Sequence, residues 1–266
     1  MTVTVRDLRV TFGRRCVAHV PELPLRDGTI VGLVGASGSG KSMTATAILG
    51  LAGRLGAQVT GSIKLGDLEL VGAPEHQLRD VRGRRIAMIF QSPSTSFHPL
   101  MKVGDFVTRA LRLHGSGSRN AARRRAEEAA REMLLPVGVL DRYPHQLSGG
   151  QLQRVAIALA LALDAEVLLA DEPTSALDVT VQAEILELLR TLRDTEHLAV
   201  LLISHDLGAV AEVADSIAVM QAGEVLESGP TTEVINQPQH DYTRALLDSV
   251  PVLGEVPGRR THAAGA

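Results

Sequence analysis

Cys16 is the single cysteine of this 266-residue chain. That excludes an internal disulfide framework and any four-cysteine metal or iron–sulfur site within it. Tryptophan is absent, and two tyrosines and four phenylalanines are all the aromatics there are. Neither sign of charge dominates: Lys+Arg 27 against Asp+Glu 30 leaves −3, so no global basic field points to nucleic acid. Long apolar runs are missing too. The longest, residues 155–163, is far short of the ~20 residues that a bilayer-spanning helix needs. The N-terminus has no charged-then-apolar signal pattern. These absences predict a cytoplasmic protein, with any membrane role supplied by a partner that does span. Hydrophobic content of 45% suits one large core, or a core plus a subdomain.

What is present starts with Gly35-Ala36-Ser37-Gly38-Ser39-Gly40-Lys41-Ser42, which fits the P-loop pattern G-x-x-x-x-G-K-[ST]. An apolar run at 30–34 reads as a buried strand before it, and 43–51 continues as a helix. Glycines let the backbone approach a nucleotide closely and turn its N–H groups inward. The helix start adds a positive dipole end. Lys41 would reach the β/γ-phosphates and Ser42 would offer its hydroxyl to Mg²⁺.

Further along, apolar runs end in polar groups three more times: 86–90 at Gln91, 167–170 at Asp171-Glu172, and 198–203 at Ser204-His205-Asp206. Strands alternating with helices predict an α/β P-loop NTPase core with a mostly parallel sheet. Short β-rich runs at 3–5, 8–12 and 59–71 predict an antiparallel β subdomain. The stretch 92–146 is loop-rich, then helical, and reads as an inserted helical subdomain. Its arginine run, Arg123-Arg124-Arg125, is followed by Glu127 and Glu128, which favours a solvated helix face over a nucleic-acid patch. The expected organisation is a core from 1–91 and 156–235, a helical subdomain at 92–155 and a short C-terminal extension at 236–266.

In open α/β sheets ligands bind beyond the carboxyl ends of the strands. Asp171 would hold Mg²⁺ there, Glu172 would polarise the attacking water as general base, Gln91 could contact metal or water, and His205 the γ-phosphate. Each has an ordinary reading as well: a carboxylate after a buried strand is often a helix cap, and His205 could be a plain loop histidine. Leu147-Ser148-Gly149-Gly150-Gln151 precedes a strongly helical segment. It is either a well-capped helix or a second anion site. One nucleotide has little need of two such helix ends in one chain, so this one invites a role on another subunit's nucleotide.

Taken together, the P-loop, Gln91, LSGGQ at 147–151, LLADE at 168–172, Ser175-Ala176-Leu177-Asp178 and His205 resemble the ATP-binding cassette (ABC) ATPase family, in its order and over nearly the whole chain. A P-loop kinase or GTPase would leave LSGGQ unexplained. The resemblance implies a head-to-tail dimer with two ATP molecules at its interface. Each is held by the P-loop of one subunit (Gly35 to Ser42, with Met43) and by Ser148, Gly149, Gly150 and Gln151 of the other. Asp178 then lies in the loop linking the two sites. Phe12, 23 residues before Gly35, suits the family's adenine-stacking aromatic, with a strand-core phenylalanine as the alternative. Residues 90–100, 143–150, 171–186 and 204–215 are similar to the ATPase subunits of peptide/nickel importers. Those pair with a second ATPase, alike or different, on two permeases at the inner face of the membrane, fed by a solute-binding protein. Many peptide-transporting members carry a cysteine-bearing tail, which this sequence lacks. With Phe97-His98-Pro99 and Leu152-Gln153-Arg154, that leans the expectation toward the nickel or metal-chelate branch. The competing expectation is a soluble, non-transport ABC ATPase.

Overall fold

The short all-apolar runs become the middle of the sheet, because a strand covered on both faces has no side that can be polar. In the computed structural model, which describes residues 2–115, 117–175 and 177–249, β3 (Ile30–Val34), β7 (Val167–Asp171) and β8 (Ala199–Ser204) are buried along their whole length. With β6 (Ile86–Ile89) and β9 (Ser216–Gln221) they form a parallel array in the order β9-β3-β8-β7-β6. Successive residues of β8 point to opposite faces. Val200 and Leu202 join one hydrophobic cluster, while Ala199, Leu201 and Ile203 join the other.

The rest of the sheet is antiparallel: β1 (Thr2–Phe12), β2 (Arg15–Arg26), β4 (Gln58–Leu65) and β5 (Leu68–Glu69). β10 (Glu224–Pro230) runs antiparallel to β9 and meets β2 at one residue pair, Glu224 with His19. The ten strands thus share one sheet, ordered β5-β4-β1-β2-β10-β9-β3-β8-β7-β6.

Two runs read separately at 3–5 and 8–12 are one strand. β1 passes through Asp7 at φ 45°, and the pairing of β1 with β4 shifts there, between Arg6 and Arg9. β2 went unread because Pro21 and Pro24 lie inside it. Prolines are tolerated where one strand edge makes no ladder, and beyond His19 this strand pairs only with β1.

One hydrophobic cluster joins β1, β2 and β4 to α1 (Lys41–Ile48) and α2 (Glu75–Val81). After α3 (Pro93–Ser96), which buries none of its own residues, Phe97 enters the other cluster. It joins the far face of the parallel strands to α4 (Val103–Leu113), α5 (Arg119–Glu132), α6 (Gly149–Ala162), α7 (Val179–Glu196) and α8 (Leu207–Ala211). On α5 a stripe of Ala122, Ala126, Ala129 and Ala130 is buried, while Arg123 pairs with Glu127 at 2.8 Å and Asp141 at 3.0 Å. α6 runs unbroken through 155–156, the division expected from sequence. The described chain ends with α9 (Thr231–Asn236) and α10 (Asp241–Ser249); the remainder of the expected extension, 250–266, lies outside the described residues.

Candidate active site

The P-loop joins the end of β3 to the start of α1, and two glycines fix its path. Gly35 and Gly40 have φ of 154° and 105°. A Cβ on Gly35 would run into the Met220 carbonyl oxygen, and one on Gly40 into that of Val17. Only a residue without a side chain lets the loop lie against β9 and β2 in this way. α1 then starts at Gly40 with no side-chain cap, so no side chain satisfies the N–H groups of its first turn. That is the arrangement in which a helix start accepts an anion.

Lys41 folds back over the loop, donating from Nζ to the carbonyls of Gly35 at 2.7 Å and Ala36 at 2.9 Å. Burial lowers its pKa, against the pull of Glu172 and Asp171. Ser42 Oγ donates to Asp171 Oδ1 at 2.9 Å. Burial raises the Asp171 pKa; the Ser42 bond and Lys41 oppose this, and neighbouring Glu172 adds to it. Gln91 Nε2 donates to Glu172 Oε2 at 2.9 Å, and His205 Nδ1 lies 3.5 Å from the same oxygen. Glu172 itself sits at φ 46°, a conformation that disfavours residues with a Cβ and marks a position held by its surroundings. Its N–H donates to the Ile203 carbonyl at 2.9 Å.

A cleft of about 390 Å³ opens over these groups, lined by residues 37–43, Gln91 and Glu172. Asp171 and His205 reach it through Ser42 and Glu172. Five lining residues were not singled out from sequence: Arg15, Cys16 and Val17 at the start of β2, and Ala222 and Gly223 in the β9–β10 turn. Phe12 is not among the lining residues. It pairs with Arg15 across the β1–β2 hairpin, and it is β2, through Arg15, Cys16 and Val17, that reaches the cleft.

Ser148, Gly149, Gly150 and Gln151 are also outside the cleft. Ser148 Oγ accepts from the Gln151 N–H at 3.2 Å and Gln151 Oε1 from the Ser148 N–H at 3.1 Å, which caps α6. Asp178 caps α7, accepting from the Val181 N–H at 3.0 Å. Among the described residues no group of three or more His, Cys, Asp or Glu could hold a metal. The oxygen donors at Ser42 and Asp171 suit Mg²⁺, which takes few protein ligands and keeps waters and phosphates for the rest. Two carboxylates beside one lysine, Asp171 buried and Glu172 partly so, also leave negative charge that a cation would neutralise.

Comparison with known proteins settles the lineage. The family described as ABC transporter matches residues 19–175. The chain belongs to the ABC transporter ATPase family. A second family, described as oligopeptide/dipeptide transporter, C-terminal region, matches 226–265. The oligopeptide transport ATP-binding protein OppD of Lactococcus lactis subsp. cremoris is 44% identical over 86% of this chain and 69% of its own length. The glutathione import ATP-binding protein GsiA of Shigella boydii is 42% identical over 96% of this chain and 43% of its own. The ATP-binding cassette MJ0796, solved as a dimer in a post-hydrolysis state with ADP and Pi, superposes with a TM-score of 0.75. It is 28% identical over 86% of this chain and 98% of its own. The ABC ATPase fold is therefore established, with its α/β P-loop core. Among the described residues no helix is long and apolar enough to cross a membrane.

Proposed function

We propose that this ABC ATPase binds and hydrolyses ATP to drive an importer of peptides. The observation that carries the reading is the meeting of the P-loop, the Ser42–Asp171 bond and the Gln91–Glu172–His205 group at one sheet edge. The peptide cargo is supported by the family match at 226–265 and by the oligopeptide and glutathione relatives. None of these matches supports the lean toward nickel or metal chelates.

Residues 35–42 would wrap the phosphates, and Lys41 would leave its two carbonyl partners for phosphate oxygens. Ser42 and Asp171, with Gln91 nearby, would hold Mg²⁺, which when bound offsets phosphate charge. Glu172 would take the proton of the attacking water, and His205 would contact the γ-phosphate. The catalytic gain is positioning and electrostatics, in a cleft where charges are poorly screened. Because Ser148 to Gln151 do not line this cleft, they would complete the site of a second ATPase subunit, alike or different, with Asp178 beside that seam. Phe12 would stack on adenine from the hairpin. Residues 92–155 would dock on one of two permeases at the inner membrane face and relay closure to it, with a solute-binding protein delivering cargo from the other side.

Glu172→Gln tests the chemistry. The variant is expected to bind ATP as tightly as wild type while turnover falls by at least ~100-fold, the usual weight of a general base. Wild-type turnover in that variant would refute the assignment.

A further inference from the structure

The P-loop is also held from outside the core. The Ala36 N–H donates to the hydroxyl of Tyr242 at 3.0 Å, while the Ala36 carbonyl accepts from Lys41 Nζ at 2.9 Å. One loop residue is thus bonded on one side to α10, the last helix of the described residues, and on the other to Lys41. Tyr242 is itself firmly placed. Its N–H donates to His240 Nδ1 at 3.0 Å. The N–H groups of Gln239 and His240 donate to the two carboxylate oxygens of Glu227 on β10, at 2.8 and 3.1 Å. The Tyr242 ring, with Leu246 and Leu247, packs against the main hydrophobic cluster. Residues 239–242 are in this way tied to β10 and brought back to the loop.

We infer that Tyr242 is a positioning residue for the nucleotide. Its hydroxyl braces the outer limb of the P-loop, so that the inward N–H groups and Lys41 are already arranged before ATP arrives. This rests on the ATP-site reading above. A neutral hydrogen bond of this kind is modest in net terms, so the brace tunes affinity and leaves the chemistry alone. Coupling between two sites is reciprocal: if α10 strengthens ATP binding, ATP must tighten the docking of α10 by the same factor.

The test uses the full chain, wild type and Tyr242→Phe, which keeps the ring and removes only the oxygen. ATP affinity is expected to fall about fivefold in the variant, the size of one such bond. Its kcat should stay within about twofold, because a bond made equally before and during reaction affects binding alone. In wild type, a non-hydrolysable ATP analogue should slow amide exchange across 241–249, and Tyr242→Phe should blunt that protection. Equal affinity in the two proteins, or no analogue-dependent protection in wild type, overturns the inference; the second readout needs no variant to fold. A wild-type protein that binds no ATP at all overturns the proposed function, and this inference with it.

Discussion

At α1 the chain enters the helix through Gly40 in a left-handed conformation, with no side-chain cap. At α6 it enters through Ser148, with the capping box to Gln151 already closed. Both starts are glycine-bearing and both are proposed to meet phosphate, yet one has no side-chain cap and the other has bonded the N–H groups of Ser148 and Gln151 into its own capping box. An open start is unfinished until a ligand arrives, and here it faces the cleft. A capped start is stabilised without a ligand and offers an anion only the N–H groups its cap leaves over. The first suits a site that binds nucleotide within one subunit. The second suits a surface that engages only once another subunit presents its nucleotide.

Gly40→Ala should break this comparison most severely. The new Cβ meets the Val17 carbonyl in a backbone conformation that alanine resists, so roughly 3 kcal/mol of stability should be lost, together with ATP binding. Denaturant titration and a fluorescent ATP analogue read both effects. Ser148→Ala should cost less, about 1 kcal/mol, the usual weight of an N-cap. It should leave single-subunit ATP affinity within about twofold while weakening ATP-dependent dimers in sizing experiments. Loss of single-subunit binding there would erase the distinction between the two starts.

The smallest effect is one of pH and belongs to the α1 side only. Burial pushes the Glu227 pKa up, but the Gln239 N–H, the Thr243 side chain, the His240 N–H and the nearby His240 ring together outweigh it, and the carboxyl sits below its ordinary value. A depressed carboxylate binds fewer protons folded than unfolded. Its contribution is therefore complete above the unfolded value of ~4.3 and fades as pH falls through the lower, folded one. The stability gap between wild type and Glu227→Gln should accordingly stay constant from neutral pH down to ~4.5 and then shrink. A constant gap into stronger acid would contradict the hydrogen-bond account.

The parallel core could be read in the sequence, because β3, β7 and β8 are apolar runs and each ends in the group it delivers. Lys41 and Ser42 followed from the P-loop pattern, and Gln91, Asp171, Glu172 and His205 from their places at strand ends taken together. The walls contributed by Arg15, Cys16, Val17 and the Ala222–Gly223 turn did not. They stand in no motif and reach the cleft only through sheet order. Tyr242 was hidden for a different reason: its partner lies 206 positions away, and nothing local marks a hydroxyl destined for a loop N–H. β2 was obscured by two prolines that a half-paired strand can absorb.

The meeting of β2 with β10 carries a mechanical consequence. Only Glu224 and His19 bridge the two ladders, reinforced by their side-chain contact at 2.6 Å and by the His19 N–H on the Gly223 carbonyl. With so few ladder bonds the seam leans on packing instead: Ala18 and Val20 on one bank share a buried cluster with Leu33, Ala45 and Met220 on the other. Cys16 and Val17 stand on one bank and residues 38–43 on the other. A guest in the cleft would therefore touch both banks across a joint held mainly by packing rather than by ladder hydrogen bonds.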